Sequence, residues 1–183
     1  MATLAAEEAR WRAAAQRDSP LNIVDLITRQ SVIARLRAAT KAEVLAELAR
    51  KAAELIRSPD RPVLDALLAR ERLGTTGIGD GVAIPHAKLP GLMAPVGLFA
   101  RLEKPVDFQA IDGKPVDLIF TVLTPEFCGG DHLKALAAVC RVLRDPEMSV
   151  KLRRADDEQA LYVLLAHRIS RGLSQQTLSQ QAK

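Results

Sequence analysis

Hydrophobic residues recur along the chain with two periods, one helical and one extended. Val44, Leu45, Leu48, Leu55 and Ile56 fall at helical spacing, and Thr40-Lys41-Ala42-Glu43 ahead of them is a capping-box sequence. Asp60 is placed to cap a second helix, with Pro62 in its first turn, Leu64, Leu67 and Leu68 as its buried stripe and Gly74 past its end. Strands are predicted over Ser31 to Arg37 (Val32, Ala34 and Leu36 on one face), Val82 to Pro85, Val96 to Leu102 and Val116 to Leu123. In the Val96 strand, Gly97, Phe99 and Arg101 define a more exposed face. The Val116 strand is apolar on both faces, which marks it as central. Asp131 then opens a helix with Leu133, Leu136, Cys140 and Leu143 on one side, and Asp145-Pro146 breaks it. A short helix to Arg154 follows, and a last one from about Asp156 buries Leu161, Leu164 and Leu165. Helices before and after a sheet predict a three-layer α/β/α domain, a small mixed β-sheet flanked by helices, over residues 20–169.

The ends differ from this body. Residues 1–19, rich in Ala, Glu and Arg and holding the only tryptophan, Trp11, read as a helical extension whose apolar face is too small to anchor itself. Residues 170–183 read as a flexible tail. Two cysteines make no disulfide framework, so a cytoplasmic setting is expected; Cys128 reads as an exposed thiol and Cys140 as a small buried hydrophobe. No apolar run approaches the ~18–20 residues of a membrane span, so no membrane insertion is expected. The net charge of +4 is spread over the chain, with Lys151, Arg153 and Arg154 its sharpest cluster, and aromatic residues are 3%. Without basic runs or stacking platforms, nucleic-acid binding is not expected.

The chemistry concentrates around two of three histidines. His86 follows Gly74, Gly77, Gly79 and Gly81, and His132 lies in the first turn of the helix opened by Asp131. His167, near the end of the last helix, suits an ordinary dipole role there. Zinc-ligand spacing, a G-x-S-x-G elbow and a Walker A lysine are all missing, so metal, serine-nucleophile and nucleotide chemistry find no support, and no cofactor is expected. Glycines permit a tight backbone with inward amides that favour an anion, and a helix N-terminus favours one too. An anion beside two imidazoles points to phosphoryl handling. A neutral imidazole can attack phosphorus in line, and Arg70, just before the glycines, can give a bidentate contact or simply pair with Asp65 or Glu71.

These residues form an extended motif: Arg70-Glu71-Arg72-Leu73-Gly74-Thr75-Thr76-Gly77-Ile78-Gly79-Asp80-Gly81-Val82-Ala83-Ile84-Pro85-His86. It continues as Lys88-Leu89, Pro105-Val106-Asp107-Phe108, Asp112 to Phe120, His132 to Leu136 and Leu143-Arg144-Asp145. Over about residues 21–168 the chain resembles the IIA proteins of the bacterial phosphoenolpyruvate-dependent phosphotransferase system, in the fructose/mannitol/nitrogen class, and most of all the nitrogen-regulatory ones. The resemblance implies that His86 is phosphorylated on Nε2 by an HPr-like phosphocarrier, with His132 and Arg70 in support and Thr76, Gly77, Gly79 and Gly81 around the phosphate. It also implies partners that are regulatory target proteins or, in a sugar-specific member, a IIB domain. Ala87 departs from the pattern, standing where a glycine usually follows the active histidine. That substitution and residues 1–19 leave a docking-only module without phosphotransfer as a further reading.

Overall fold

The computed structural model describes residues 23–127 and 130–167. The expected N-terminal extension with Trp11, the tail 170–183, Cys128 and the side chain of His167 lie outside the described residues.

Among the described residues, six strands form one mixed sheet. They are β1 (Val32–Leu36), β2 (Gly77–Gly79), β3 (Val82–Ala83), β4 (His86–Leu89), β5 (Val96–Val106) and β6 (Val116–Pro125). β6 is the centre. It pairs antiparallel with β5 on one side and parallel with β3 and β4, end to end, on the other. β1 lies parallel to β5, and β2 pairs antiparallel with β3. Helices α1 (Lys41–Ile56) and α2 (Asp60–Arg72) pack on one face; α3 (Asp131–Leu143), α4 (Pro146–Arg154) and α5 (Glu158–His167) pack on the other. This is the expected α/β/α sandwich.

Two apolar clusters follow from the strand period of two over Leu118 to Leu123, while Val116 departs from it beyond the irregular pairing that separates Arg101↔Leu118 from Val106↔Val116. On β6, Val116, Ile119 and Leu123 join the α1/α2 side, while Leu118, Phe120 and Val122 join the α3/α5 side. All six are buried, as a strand covered on both faces requires. β5 is longer than Val96 to Leu102, and its supposed exposed face is covered as well. Gly97 and Phe99 are buried, and Arg101 donates to the carbonyls of Ala34, Leu152, Arg153 and Ala155.

Local signals were obeyed with small shifts. Thr40 Oγ1 accepts from the Glu43 amide at 3.2 Å, but the Glu43 carboxylate reaches one residue further back, to the Ala39 amide at 2.7 Å. Asp60 does not cap α2; Pro59 holds that position and Asp60 is the first helical residue. The buried residues of α2 are Val63 and Leu67, with Leu64 and Leu68 half-buried. Asp145 ends the α3 connection by accepting from the amides of Glu147 and Met148 at the start of α4. Leu133 is not in the core stripe. It is 70% exposed, because the inner face of α3 carries Ala135, Ala138, Val139, Val142 and Leu143.

Candidate functional site

The glycine run folds as a β-hairpin. Gly79 pairs with Val82, which leaves Asp80-Gly81 as the two-residue turn, with φ of 55° and 77°. Two positive φ angles are what a type I′ turn demands, and Asp-Gly is a favoured pair for it. The hairpin docks β3 against β6 at Leu118 and Ile119. Ile84 and Pro85 interrupt the strand, which resumes as β4 at His86 opposite Val122.

His86 is half-buried and held on both ring nitrogens. Nδ1 lies 2.9 Å from the Ile84 carbonyl, and Arg70 Nε donates to Nε2 at 2.9 Å. A carbonyl only accepts and a guanidinium only donates, so both contacts are met together by the neutral ring with its proton on Nδ1. The Nε2 lone pair therefore faces Arg70. Arg70 sits in the last turn of α2 and is steadied by a second bond, Nη1 to the Gly74 carbonyl at 2.9 Å. Its bonds thus run to His86 and Gly74, while Asp65 pairs with Arg61 and Glu71 with Lys41.

His132 comes to the same place from α3, which packs on the face of the sheet that carries Val122, the β6 partner of His86. As the second residue of α3 it puts its ring centroid 5.3 Å from that of His86, tilted by 53°. Its Nδ1 lies 2.9 Å from Thr124 Oγ1, a hydroxyl buried on β6. Desolvation pushes the pKa of both rings below the ordinary histidine value. For His86, the Ile84 carbonyl and the Glu71 carboxylate partly oppose this, and the Arg70 charge reinforces it. For His132, the charges of His86, Lys88 and Arg70 add to desolvation. Two neutral imidazoles in a cationic setting form a surface suited to an anion.

The expected phosphate-binding residues divide. Thr76 is near His86 through the backbone, its carbonyl accepting from the Ile84 amide at 2.9 Å. Its own amide and hydroxyl are both spent on Glu71. The Gly77 amide goes to Thr75 Oγ1, and its carbonyl accepts from Ile111. Gly79 and Gly81 are not brought to the histidine. They face Asp112 and the Arg153–Asp117 pair, at the far turn of the hairpin. Leu118 and Val122 measure that separation, four residues or about 13 Å along β6. These two glycines serve the turn, because Asp80-Gly81 is needed to reverse the chain.

Glu71 and Thr124 were missed as site residues. In the sequence Glu71 reads only as a surface partner for Arg70, and nothing in the spacing of Thr124 and His132 signals their contact. Ala87 needs no glycine's freedom: it is buried in β4, paired with Leu123, and is not among the described residues with positive φ. An apolar cavity of about 230 Å3 lies elsewhere, bordered by Leu26, Leu55, Leu92 and Val96, and none of the expected site residues lines it.

A mixed-sheet α/β domain carrying a paired-histidine site at one sheet edge defines a class. Residues 25–168 match the family described as "Phosphoenolpyruvate-dependent sugar phosphotransferase system, EIIA 2", and the chain belongs to that family. It is 52% identical over 144 residues to a "Nitrogen regulatory protein" of Bradyrhizobium diazoefficiens, covering 79% of this chain and 94% of the relative. It is also 41% identical over 129 residues to a "PTS system fructose-specific EIIA component" of Haloferax volcanii, covering 70% and 84%. The crystal structure of the nitrogen regulatory protein IIA-Ntr from Neisseria meningitidis superposes with a TM-score of 0.75 at 30% identity, covering 79% of this chain and 99% of that one.

Proposed function

We propose that His86 accepts a phosphoryl group on Nε2 from a histidine-phosphorylated carrier protein of the HPr type, and that the loaded and unloaded forms bind regulatory target proteins differently. The observation that carries this is the Nδ1 contact to Ile84, which fixes the ring with Nε2 as its nucleophilic atom. In the transfer, the Nε2 lone pair forms a bond to phosphorus while the donor's P–N bond breaks and its imidazole leaves with the electron pair. The proton on Nδ1 stays shared with the Ile84 carbonyl. Arg70 exchanges its bond to Nε2 for bonds to the phosphoryl oxygens, which are stronger because both partners are charged. With Nδ1 directed at Thr124, His132 would meet the same oxygens through Nε2, and the N-terminus of α3 would offset their charge.

The surroundings fit a protein partner. Leu73 beside Gly74, Phe127 after β6 and Leu133 beside His132 are 85%, 93% and 70% exposed. Exposed apolar side chains around a polar centre are typical of protein-binding surfaces. A cytoplasmic location agrees with such partners, and among the described residues no helix is long and apolar enough to cross a membrane.

The regulatory branch is favoured by the relatives named as nitrogen regulatory proteins. A sugar-specific role, with phosphate passed on to a IIB domain, is the second reading and draws on the fructose-specific relative. Incubation with phosphoenolpyruvate, enzyme I and an HPr-like carrier should give an acid-labile phosphate on the protein and none on the His86→Ala variant. Equal labelling of that variant would remove the assignment. Onward transfer to a fructose-type IIB domain would select the second reading.

A further inference from the structure

Both nitrogens of His86 trace back to neighbouring residues of one helix turn. Arg70 reaches Nε2 directly. Glu71, the next residue, reaches Nδ1 through the backbone. Its carboxylate accepts from the Thr76 amide at 2.9 Å and from Thr76 Oγ1 at 2.6 Å. The Thr76 carbonyl accepts from the Ile84 amide at 2.9 Å, and the Ile84 carbonyl faces His86 Nδ1 at 2.9 Å. The Glu71 side chain is only 7% exposed and is neutralised by Lys41 Nζ at 2.6 Å; that lysine also lies over the Phe108 ring.

We infer that Glu71 is a positioning residue: by clamping Thr76 it sets the Ile84 carbonyl, and so fixes the tautomer and orientation of His86. The inference rests on the reading of His86 as the phosphoryl acceptor. An anion is well suited to this place. Three donors converge on the carboxylate, which has two oxygens and only accepts. A glutamine removes the charge opposite Lys41 and, in place of the oxygen that accepts from Thr76 Oγ1, presents an amide that donates, so the strongest of these bonds are weakened or reversed. The segment between Thr76 and Ile84, Gly77 to Ala83, is the hairpin, whose far turn is tied separately by Arg153 to Asp117 and to the Asp80 carbonyl. At the histidine end Glu71 holds Thr76 itself, while its neighbours are held by Thr75 Oγ1, which accepts from the Gly77 amide and donates to the Phe108 carbonyl.

The test is the Glu71→Gln variant, with the His86 ring followed by 15N NMR and its phosphorylation by an HPr-like carrier followed by rate. The full chain is used, with its folded amide spectrum as the control. The wild type should show one neutral tautomer, protonated on Nδ1. The variant should show a mixture of tautomers and a rate lower by about ten- to hundredfold, as misplacement of a reacting atom produces. A folded variant with wild-type tautomer and rate overturns the inference. Thr76→Val removes only the hydroxyl contact and should shift the tautomer in the same direction by less. If Glu71→Gln does not fold, an unchanged tautomer in Thr76→Val overturns the inference instead. Should the wild type accept no phosphate, the reading of His86 fails, while the tautomer comparison still decides the role of Glu71.

Discussion

Replacing Arg70 by Met probes the site with little disturbance of α2, since both side chains are unbranched and good helix formers. The change removes the Nε bond to His86 Nε2 and the Nη1 bond to the Gly74 carbonyl. In the transfer the guanidinium would bond phosphoryl oxygens, and a hydrogen bond to a charged group is worth about 1.5–3 kcal/mol. At about 1.4 kcal/mol per tenfold, the rate should fall by roughly ten- to 150-fold. Part of this is offset, because the wild type must first give up its Arg70–Nε2 bond, so the lower end is the better expectation. The variant should also raise the His86 pKa, since a positive charge and a donor to the basic nitrogen both disappear. Rapid-quench labelling from the phosphorylated carrier gives the rate, and NMR titration of the imidazole gives the pKa. Labelling at the wild-type rate with a lower His86 pKa would refute the reasoning.

Three further predictions bear on the fold around the site. A Cβ at Gly97 would stand 2.8 Å from Phe120 Cε1 and Cζ and 2.9 Å from Leu26 Cβ, so Gly97→Ala should destabilise by about 1–3 kcal/mol in denaturant titration; a neutral effect would mean that β5 and β6 can part there. Ala87→Gly should lower stability by about 0.5–1 kcal/mol while leaving the labelling of His86 intact; faster labelling would show that strand flexibility limits transfer. The lowered folded pKa of His86 and His132 means that the unfolded chain takes up protons first, so stability should decline as pH falls from about 6.5 toward the folded values, and His132→Asn should flatten that decline. A melting temperature constant through that interval would contradict the burial of the two rings.

Much of the sandwich was legible because single strong signals carried it. Val116 to Leu123 carries apolar residues on both faces, with only Asp117 and Thr121 polar, which is the pattern of a covered strand, and Asp145-Pro146 both ends one helix and caps the next. The errors arose where two signals overlapped. Asp60 is a good cap, but Pro59 before it is held to a φ of -58° in extended backbone and takes the capping position itself. The glycines suggested an anion cradle, although Asp80-Gly81 between Gly79 and Val82 carries a hairpin signature of equal strength. β4 was invisible behind Pro85, because a strand that restarts after a proline has too few residues to show a period. At the site, His86, His132 and Arg70 were found from motif and helix-terminus reasoning, and the structure brings the three together. The supporting contacts of Glu71 with Thr76 and of Thr124 with His132 are five and eight residues apart and depend on how the chain turns after α2 and after β6, which no hydrophobic period records.

The position of the phosphoryl group on the loaded protein tests the account most directly. Two-dimensional 15N–1H NMR of the uniformly labelled protein after treatment with the phosphorylated carrier distinguishes the two ring nitrogens. The group should reside on Nε2 of His86, with Nδ1 still protonated against Ile84. A phosphoryl group on Nδ1, or on any residue other than His86, contradicts it.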